Sequence, residues 1–425
     1  MSDTTTAFAA YLQKKAGQIT AREFTRASAC LLDYLAVTEA GAGKNRDRWL
    51  PVFPSLPQGN APLLGYDRLT DGKTAALING FNAHCLELDD GQRFAMIHLG
   101  ASILSALLSV QAEHGLSRER FAAGVVMGYE AACRVAIAMQ PSHKQRGFHT
   151  AGTCGTLGAA VGAAFALDYS AEQLGRTLTL AAGSAAGMLE LQEQRSELKP
   201  YNLGRAAMDG LTAAFLGRTD FLCPDDMLGG ERGFFRLYAD AWAPEKLLAE
   251  QPWFEIERIY VKPYASCRHS HSAVEAAICL HPLIQGREIR DIRVETYRLG
   301  VKGHDHTKIS GVASAKLSTP YAVAAALLRG KADLSVFEPP DEAALALCGR
   351  VSVVENEELT RESARKRVAV VTVRLTDGTE LSHRVDYAKG EPENPMSREE
   401  LLHKAASLVG PERVAQLMQN YQITI

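Results

Sequence analysis

None of the eight cysteines (Cys30, Cys85, Cys133, Cys154, Cys223, Cys267, Cys279, Cys348) sits in a CxxC pair. That argues against a zinc ribbon or a cysteine-bound iron–sulfur cluster and fits reduced thiols in a cytosol. No run of 18 apolar residues exists either, because Glu130, Arg134 and Asp168 interrupt the best candidates, so no membrane span is expected. The N-terminus, MSDTTTAFAAYLQKKAG, carries acid early and has no long apolar stretch before its lysines, unlike a secretory leader. Phosphate-loop glycines are missing: GAGK at 41–44 lacks the first glycine of GxxxxGK and is followed by Asn45, and no GxGxxG follows a strand. A net charge of −3, spread over 425 residues, leaves no footprint for nucleic acid or an anionic membrane. What remains is a cytoplasmic chain, 46% apolar and 22% charged, long enough for two or three domains.

What is present changes character near residue 252. From Thr20 to about Leu248 the periodicity is helical: Ala27, Leu31, Leu32, Leu35 and Ala36 recur at three and four residues, as do the apolar positions of 101–113, 120–139, 170–187 and 205–217. GTLGAAVGAAFAL (155–167) and LAAGSAAGM (180–188) are dense in residues small enough for helices to approach closely. Beyond Trp253, FEIERIYVK (254–262) and IRDIRVETYRL (289–299) alternate like half-buried strands. VAVVTVRL (368–375), an Asp377-Gly378 turn and TELSHRV (379–385) read as a hairpin. Helices are expected at 270–282, 319–329 and 397–418, the last started by Ser397 with Glu399 and Glu400 behind it. The fold class is mainly α plus α+β. The division is 1–252 all-helical, 253–392 α+β, and 393–425 C-terminal helices packing back on the helical part.

Three patches carry chemistry. NGFNAHCLELDDGQRFAMIHLG (79–100) gathers two histidines and three carboxylates, Glu87, Asp89 and Asp90, at a helix junction, with His98 opening the next helix. Carboxylates are rarely buried without partners, so this is either a wet loop or a site. RGFHTAGTCGTLGAA (146–160) places His149 among hydroxyls and glycines at a helix start, a natural anion site, and Lys199 before Pro200 cannot continue a helix and projects from a loop. VKPYASCRHSHSAVEA (261–276) packs Lys262, Arg268, His269 and His271 at a helix N-terminus, where cations oppose the macrodipole unless an anion is bound. Arg268 suits a bidentate carboxylate clamp and Lys262 a point charge. His269/His271 and His304/His306 have HxH spacing, but no third ligand at strand spacing accompanies either pair, so no metal is expected. Tyr321, just after Pro320, reads as a core tyrosine with a satisfied hydroxyl.

In order, spacing and flanks these pieces, with RASACLLDYLAV (26–37), GYEAACRVA (128–136), KPYNLGRAAMDGLTAAFL (199–216) and KLSTPYAVAAALL, closely resemble the MmgE/PrpD family, which includes 2-methylcitrate dehydratase, cis-aconitate decarboxylase and iminodisuccinate epimerase. The resemblance implies a helical domain with a smaller α+β lid domain, a homodimer, no cofactor, and a site in the cleft between the domains for a small di- or tricarboxylate. It places Glu87, Asp90, His98, His149, Lys199, Lys262, Cys267, Arg268, His271 and Tyr321 around the substrate. His149 is then the base, His98 and Asp90 an acid and its orienter, Lys199 a catalytic cation, and Tyr321 a proton donor. The family often has Asp where Glu87 stands and HPGA or HPSG where this chain has HLGA. Its decarboxylases have His at the position of Cys267, and Arg93 is an added carboxylate contact. The expectation is a cofactor-independent hydro-lyase acting on a 2-methylcitrate-like hydroxy-acid. Alternatives are an epimerase of an imino- or amino-dicarboxylate, then a cis-aconitate-type decarboxylase. Outside the class stand a non-catalytic dicarboxylate-binding protein and an HxH metallohydrolase.

Overall fold

The computed structural model describes residues 3–193, 196–284, 286–363 and 365–425. Two compact units emerge. One comprises the chain up to Gln192 with Leu198–Tyr260 and Ser397–Ile425; the other comprises Val261–Met396 with Glu193–Glu197.

Among the described residues the longer helices of the first unit, before its C-terminal pair, are α1 (Thr4–Ala16), α2 (Ala21–Trp49), α3 (Gly72–His84), α4 (Gly100–His114), α5 (Arg118–Met139), α6 (Thr150–Ala166), α7 (Ala171–Ser184) and α8 (Tyr201–Gly217). Several begin where a side-chain oxygen meets an orphan backbone N–H. Thr20 and Ser170 form capping boxes with Glu23 and Gln173, Asp71 accepts from Lys73 N and Thr74 N, and Ser117 accepts from Arg120 N. Small residues then decide which helices meet. A Cβ on Gly128 would lie 2.8 Å from the Gly158 carbonyl oxygen, and one on Gly162 would lie 2.9 Å from that of Gly124, so α5 and α6 pack backbone to backbone. Gly80 against Gly204 does the same for α3 and α8. The Ala/Gly-rich runs thus serve packing inside the unit and say nothing for a second subunit. By length and composition α5 could cross a membrane, but 83% of its apolar window is buried inside the unit, as in a core helix.

In the second unit a four-stranded sheet has the order β2–β1–β3–β4, with β1 Ile289–Thr296, β2 Val351–Glu355, β3 Ala369–Leu375 and β4 Glu380–Val385. β1 runs parallel to β2 (Ile292 beside Val351) and antiparallel to β3 (Ile292 beside Val373), and the expected hairpin sets Val371 opposite His383. Helices α9 (His271–Ile284) and α10 (Thr319–Arg329) complete its core. One expectation fails, in the stretch of the first unit that leads into this one. Residues 254–262 are not a strand: Glu255–Arg258 form a 3-10 turn. Burial of Glu255 sets that turn, its N–H donating to Glu130 Oε2 (2.7 Å) and its carboxylate accepting from Gln92 Nε2 (2.7 Å). The segment 289–299 ends as a strand at Thr296, and β2 went unrecognised because only Val351 of its five residues is fully buried.

The chain returns to the first unit with α11 (Arg398–Val409) and α12 (Pro411–Asn420). Ser397 caps α11 in a box with Glu400, and Arg413 of α12 grips Glu39 of α2 at 2.6 and 2.8 Å.

Candidate active site

The turn leaving α3 and the loop entering α4 bring the first patch together. Asp90 caps α4 from ten residues away: its Oδ1 accepts from Gly100 N (2.9 Å) and Leu99 N (3.3 Å), and its Oδ2 from the Tyr129 hydroxyl (2.5 Å). Burial pushes its carboxyl up to about 6 against the pull of those donors. Asp90 was expected to orient His98. Its carboxylate is instead committed to α4 and Tyr129, and only its main-chain carbonyl receives His98 Nδ1, at 2.8 Å. The carboxylate that serves the histidines is Asp89, whose Oδ2 lies 2.8 Å from His84 Nδ1 and 3.3 Å from His98 Nδ1. Burial works against charge on Asp89, yet the two imidazoles outweigh it and hold the carboxyl well below its usual range.

The partners fix the tautomers. A carbonyl and a carboxylate only accept, so His98 and His84 carry their protons on Nδ1, and Nε2 of His98 is left as the basic nitrogen. His84 is fully buried at the end of α3, and burial pushes it down to about 4, so it stays neutral. Its Nε2 lies 3.5 Å from Glu87 Oε1, and the same oxygen is ion-paired with Lys199 Nζ. Glu87 holds a left-handed backbone (φ 57°), rare for a long side chain. His149 caps α6 with its main chain; desolvation, then Lys199, lower its proton affinity well below the ordinary value. Its ring lies 6.5 Å from that of His84, which lies 4.7 Å from that of His98. Arg93, the suggested extra carboxylate contact, is buried over the Phe94 ring.

The sequence reading of the site gave no role to His84 and Tyr129, and put Asp89 no further than the dense patch. The available signal was local: His84 and Asp89 stand five residues apart across a helix end, close enough for a short turn to fold the carboxylate back on the ring.

In the second unit Lys262, Arg268 and His271 are buried. Arg268 forms an ion pair with Glu391, so its guanidinium already holds a carboxylate of this chain. His271 Nε2 faces the Ser266 carbonyl at 3.2 Å, and His269 Nδ1 the Tyr297 hydroxyl at 2.7 Å, so the two rings of that HxH pair turn to different partners. Cys267 Sγ lies 3.9 Å from His304 Nε2, and His304 Nδ1 faces the Leu317 carbonyl at 3.1 Å, which leaves Nε2 free of a proton and able to accept one from the thiol. The Tyr321 hydroxyl donates to the Val336 carbonyl and accepts from Asp341 N. Both capacities are used within the unit, as in a core tyrosine, and this arrangement does not favour the proton-donor role.

Among the described residues, one grouping of three could ligate a metal: His84, Asp89 and His98, with ligand atoms within 4.8 Å of one another. The same atoms are joined by ring N–H to carboxylate contacts, and His98 Nδ1 also faces a carbonyl. The donor set therefore fits oriented imidazoles better than open coordination.

Imidazoles held by a buried carboxylate beside a lysine are equipment for acid–base chemistry. Sequence comparisons give the family: the MmgE/PrpD N-terminal domain matches residues 6–246 and the MmgE/PrpD C-terminal domain residues 264–421. The chain belongs to the MmgE/PrpD family. Relatives include the cis-aconitate decarboxylase-like protein oryM of Aspergillus oryzae, 24% identical over 85% of this chain and 81% of its own length. Human cis-aconitate decarboxylase is 23% identical over 78% of this chain and 71% of its own.

Proposed function

We propose that this protein is a lyase acting without a cofactor on a di- or tricarboxylate, eliminating water from a hydroxy-acid of the 2-methylcitrate type. The observation that carries the reading is the set of imidazoles in unequal settings: His149 buried, neutral and beside a cation, His98 braced through Nδ1 by Asp89 and the Asp90 carbonyl. Burial and Lys199 keep His149 neutral, as a base must be, while the Asp89 carboxylate beside His98 Nδ1 favours a proton carried on that ring. His149 takes the proton from the carbon next to a carboxylate, and the electron pair is held as an enediolate-like intermediate facing Lys199. His98, protonated and stabilised by Asp89, gives its proton to the leaving β-hydroxyl, which departs as water. The proton on His149 and the vacancy on His98 are then reset from solvent.

Decarboxylation is the second reading, and the names of the two relatives favour it. There a carboxylate leaves as carbon dioxide and an imidazolium protonates the carbon left behind. We further propose a homodimer, on family resemblance, and a cytoplasmic setting, on the scattered cysteines.

Turnover of 13C-labelled 2-methylcitrate, citrate, cis-aconitate and iminodisuccinate, followed by NMR, tests the proposal. Loss of water from a hydroxy-acid supports it. Labelled carbon dioxide from cis-aconitate replaces it with the second reading. Silence across the set favours a carboxylate-binding protein. His149→Gln should cost roughly 10²–10⁴-fold in kcat if His149 is the base.

A further inference from the structure

We propose that Lys404, carried by the C-terminal helix α11, is a positioning residue for the Glu87–Asp90 turn. A buried ammonium persists only with partners, and Lys404 has two: Asp33 Oδ1 of α2 at 2.6 Å and the main-chain carbonyl of Leu88 at 2.8 Å. Leu88 stands between Glu87, which pairs with Lys199, and Asp89, which braces both histidines. The ammonium thus holds the peptide from which the two working carboxylates project. Glu87 sits in a left-handed conformation, and a strained residue persists only where its surroundings over-determine it. On either side of Leu88 the turn is tied by Glu87 N to the His84 carbonyl (3.1 Å) and by the paired Gly91 and Tyr260 backbones (2.8 and 3.1 Å). Lys404 supplies the tie in the middle.

Charge points the same way. Burial raises the Asp33 carboxyl, Lys404 lowers it, and Asp89 is near enough to raise it again. Burial prevails and the Asp33 carboxyl stays above its usual range, with the Lys404 ammonium 2.6 Å away as its counter-charge near Asp89. Division by sequence hides this role, because the family's C-terminal domain spans 264–421 while α11 belongs to the first unit.

The catalytic part of the proposal rests on the acid–base reading above; the anchoring part does not. The variants are Lys404→Met and, because a lone buried Asp33 can unfold the chain, Asp33→Asn/Lys404→Met, which removes both charges together. Hydrogen exchange of residues 86–92 is measured with α9 as an internal reference, and kcat and KM are measured on whichever of the four acids is turned over. The expected result is faster exchange at 86–92, about tenfold or more, with α9 unchanged. kcat should fall about 10- to 100-fold with KM within about threefold, the size of effect that supporting partners have. Parent-like exchange in a folded double variant overturns the proposal, as does faster exchange with kcat unchanged or a change confined to KM. If none of the acids is turned over, the acid–base reading fails on that result, while exchange alone still decides whether Lys404 anchors the turn.

Discussion

Replacing Asp89 with Asn changes one oxygen of one side chain and leaves the turn nearly isosteric. The carboxylate oxygen accepts from His84 Nδ1 at 2.8 Å and faces His98 Nδ1 at 3.3 Å. Hydrogen bonds to a charged group contribute about 1.5–3 kcal/mol each. The longer contact counts at the low end, because His98 Nδ1 also has the Asp90 carbonyl at 2.8 Å. The pair is then worth about 3–5 kcal/mol. Only the His98 contact strengthens as that ring takes up its proton, so about 1.5–3 kcal/mol acts on the rate, and at about 1.4 kcal/mol per decade we expect kcat to fall roughly 10- to 100-fold. The assay is steady-state turnover, beside a 15N titration of the imidazoles. Stability should respond with a definite sign. The Asp89 carboxyl is held well below its unfolded value, so its contribution is present above about pH 4 and lost as pH falls further. Asp89→Asn should therefore cost more in urea unfolding at pH 7 than at pH 3. A variant with kcat within about threefold of the parent and unaltered histidine titrations refutes the reasoning.

Asp90 predicts the opposite slope. Its carboxyl is raised to about 6, so the stability it confers is complete below about pH 4 and declines by about 3 kcal/mol as pH passes 6; in urea unfolding, Asp90→Asn should gain on the parent between pH 4 and pH 7. Tyr321→Phe removes a hydroxyl that serves Val336 and Asp341, and should lower stability by about 1–3 kcal/mol with turnover of the folded protein unchanged; a large loss of kcat at normal stability would return Tyr321 to the chemistry.

Local chemistry was legible where a residue's partner lies within one turn. Ser397 caps α11 as its acidic followers suggest, and the Asp377-Gly378 turn joins β3 to β4. The small residues of 155–167 announced close helix packing, and Gly158 and Gly162 lie against Gly128 and Gly124. Legibility failed where the partner is remote. Alternation at 254–262 comes from a buried acid answering Glu130 and Gln92, a pattern indistinguishable in sequence from a half-buried strand. Adjacent aspartates carry no mark of which braces a ring and which caps a helix. The Asp89 side chain is the one beside the two rings, because Tyr129, thirty-nine residues on, claims that of Asp90. Arg268 looked like a clamp awaiting an anion, while Glu391, far along the chain, occupies it.

The most direct measurement is solvent deuterium exchange at the carbon next to the substrate carboxylate, followed by NMR in deuterated water for the parent and for His149→Gln. The account predicts that the parent labels that carbon or eliminates water from it, and that the folded variant does neither at a comparable rate. Labelling at the parent rate by the variant would contradict it, because the proton would then be leaving to another base.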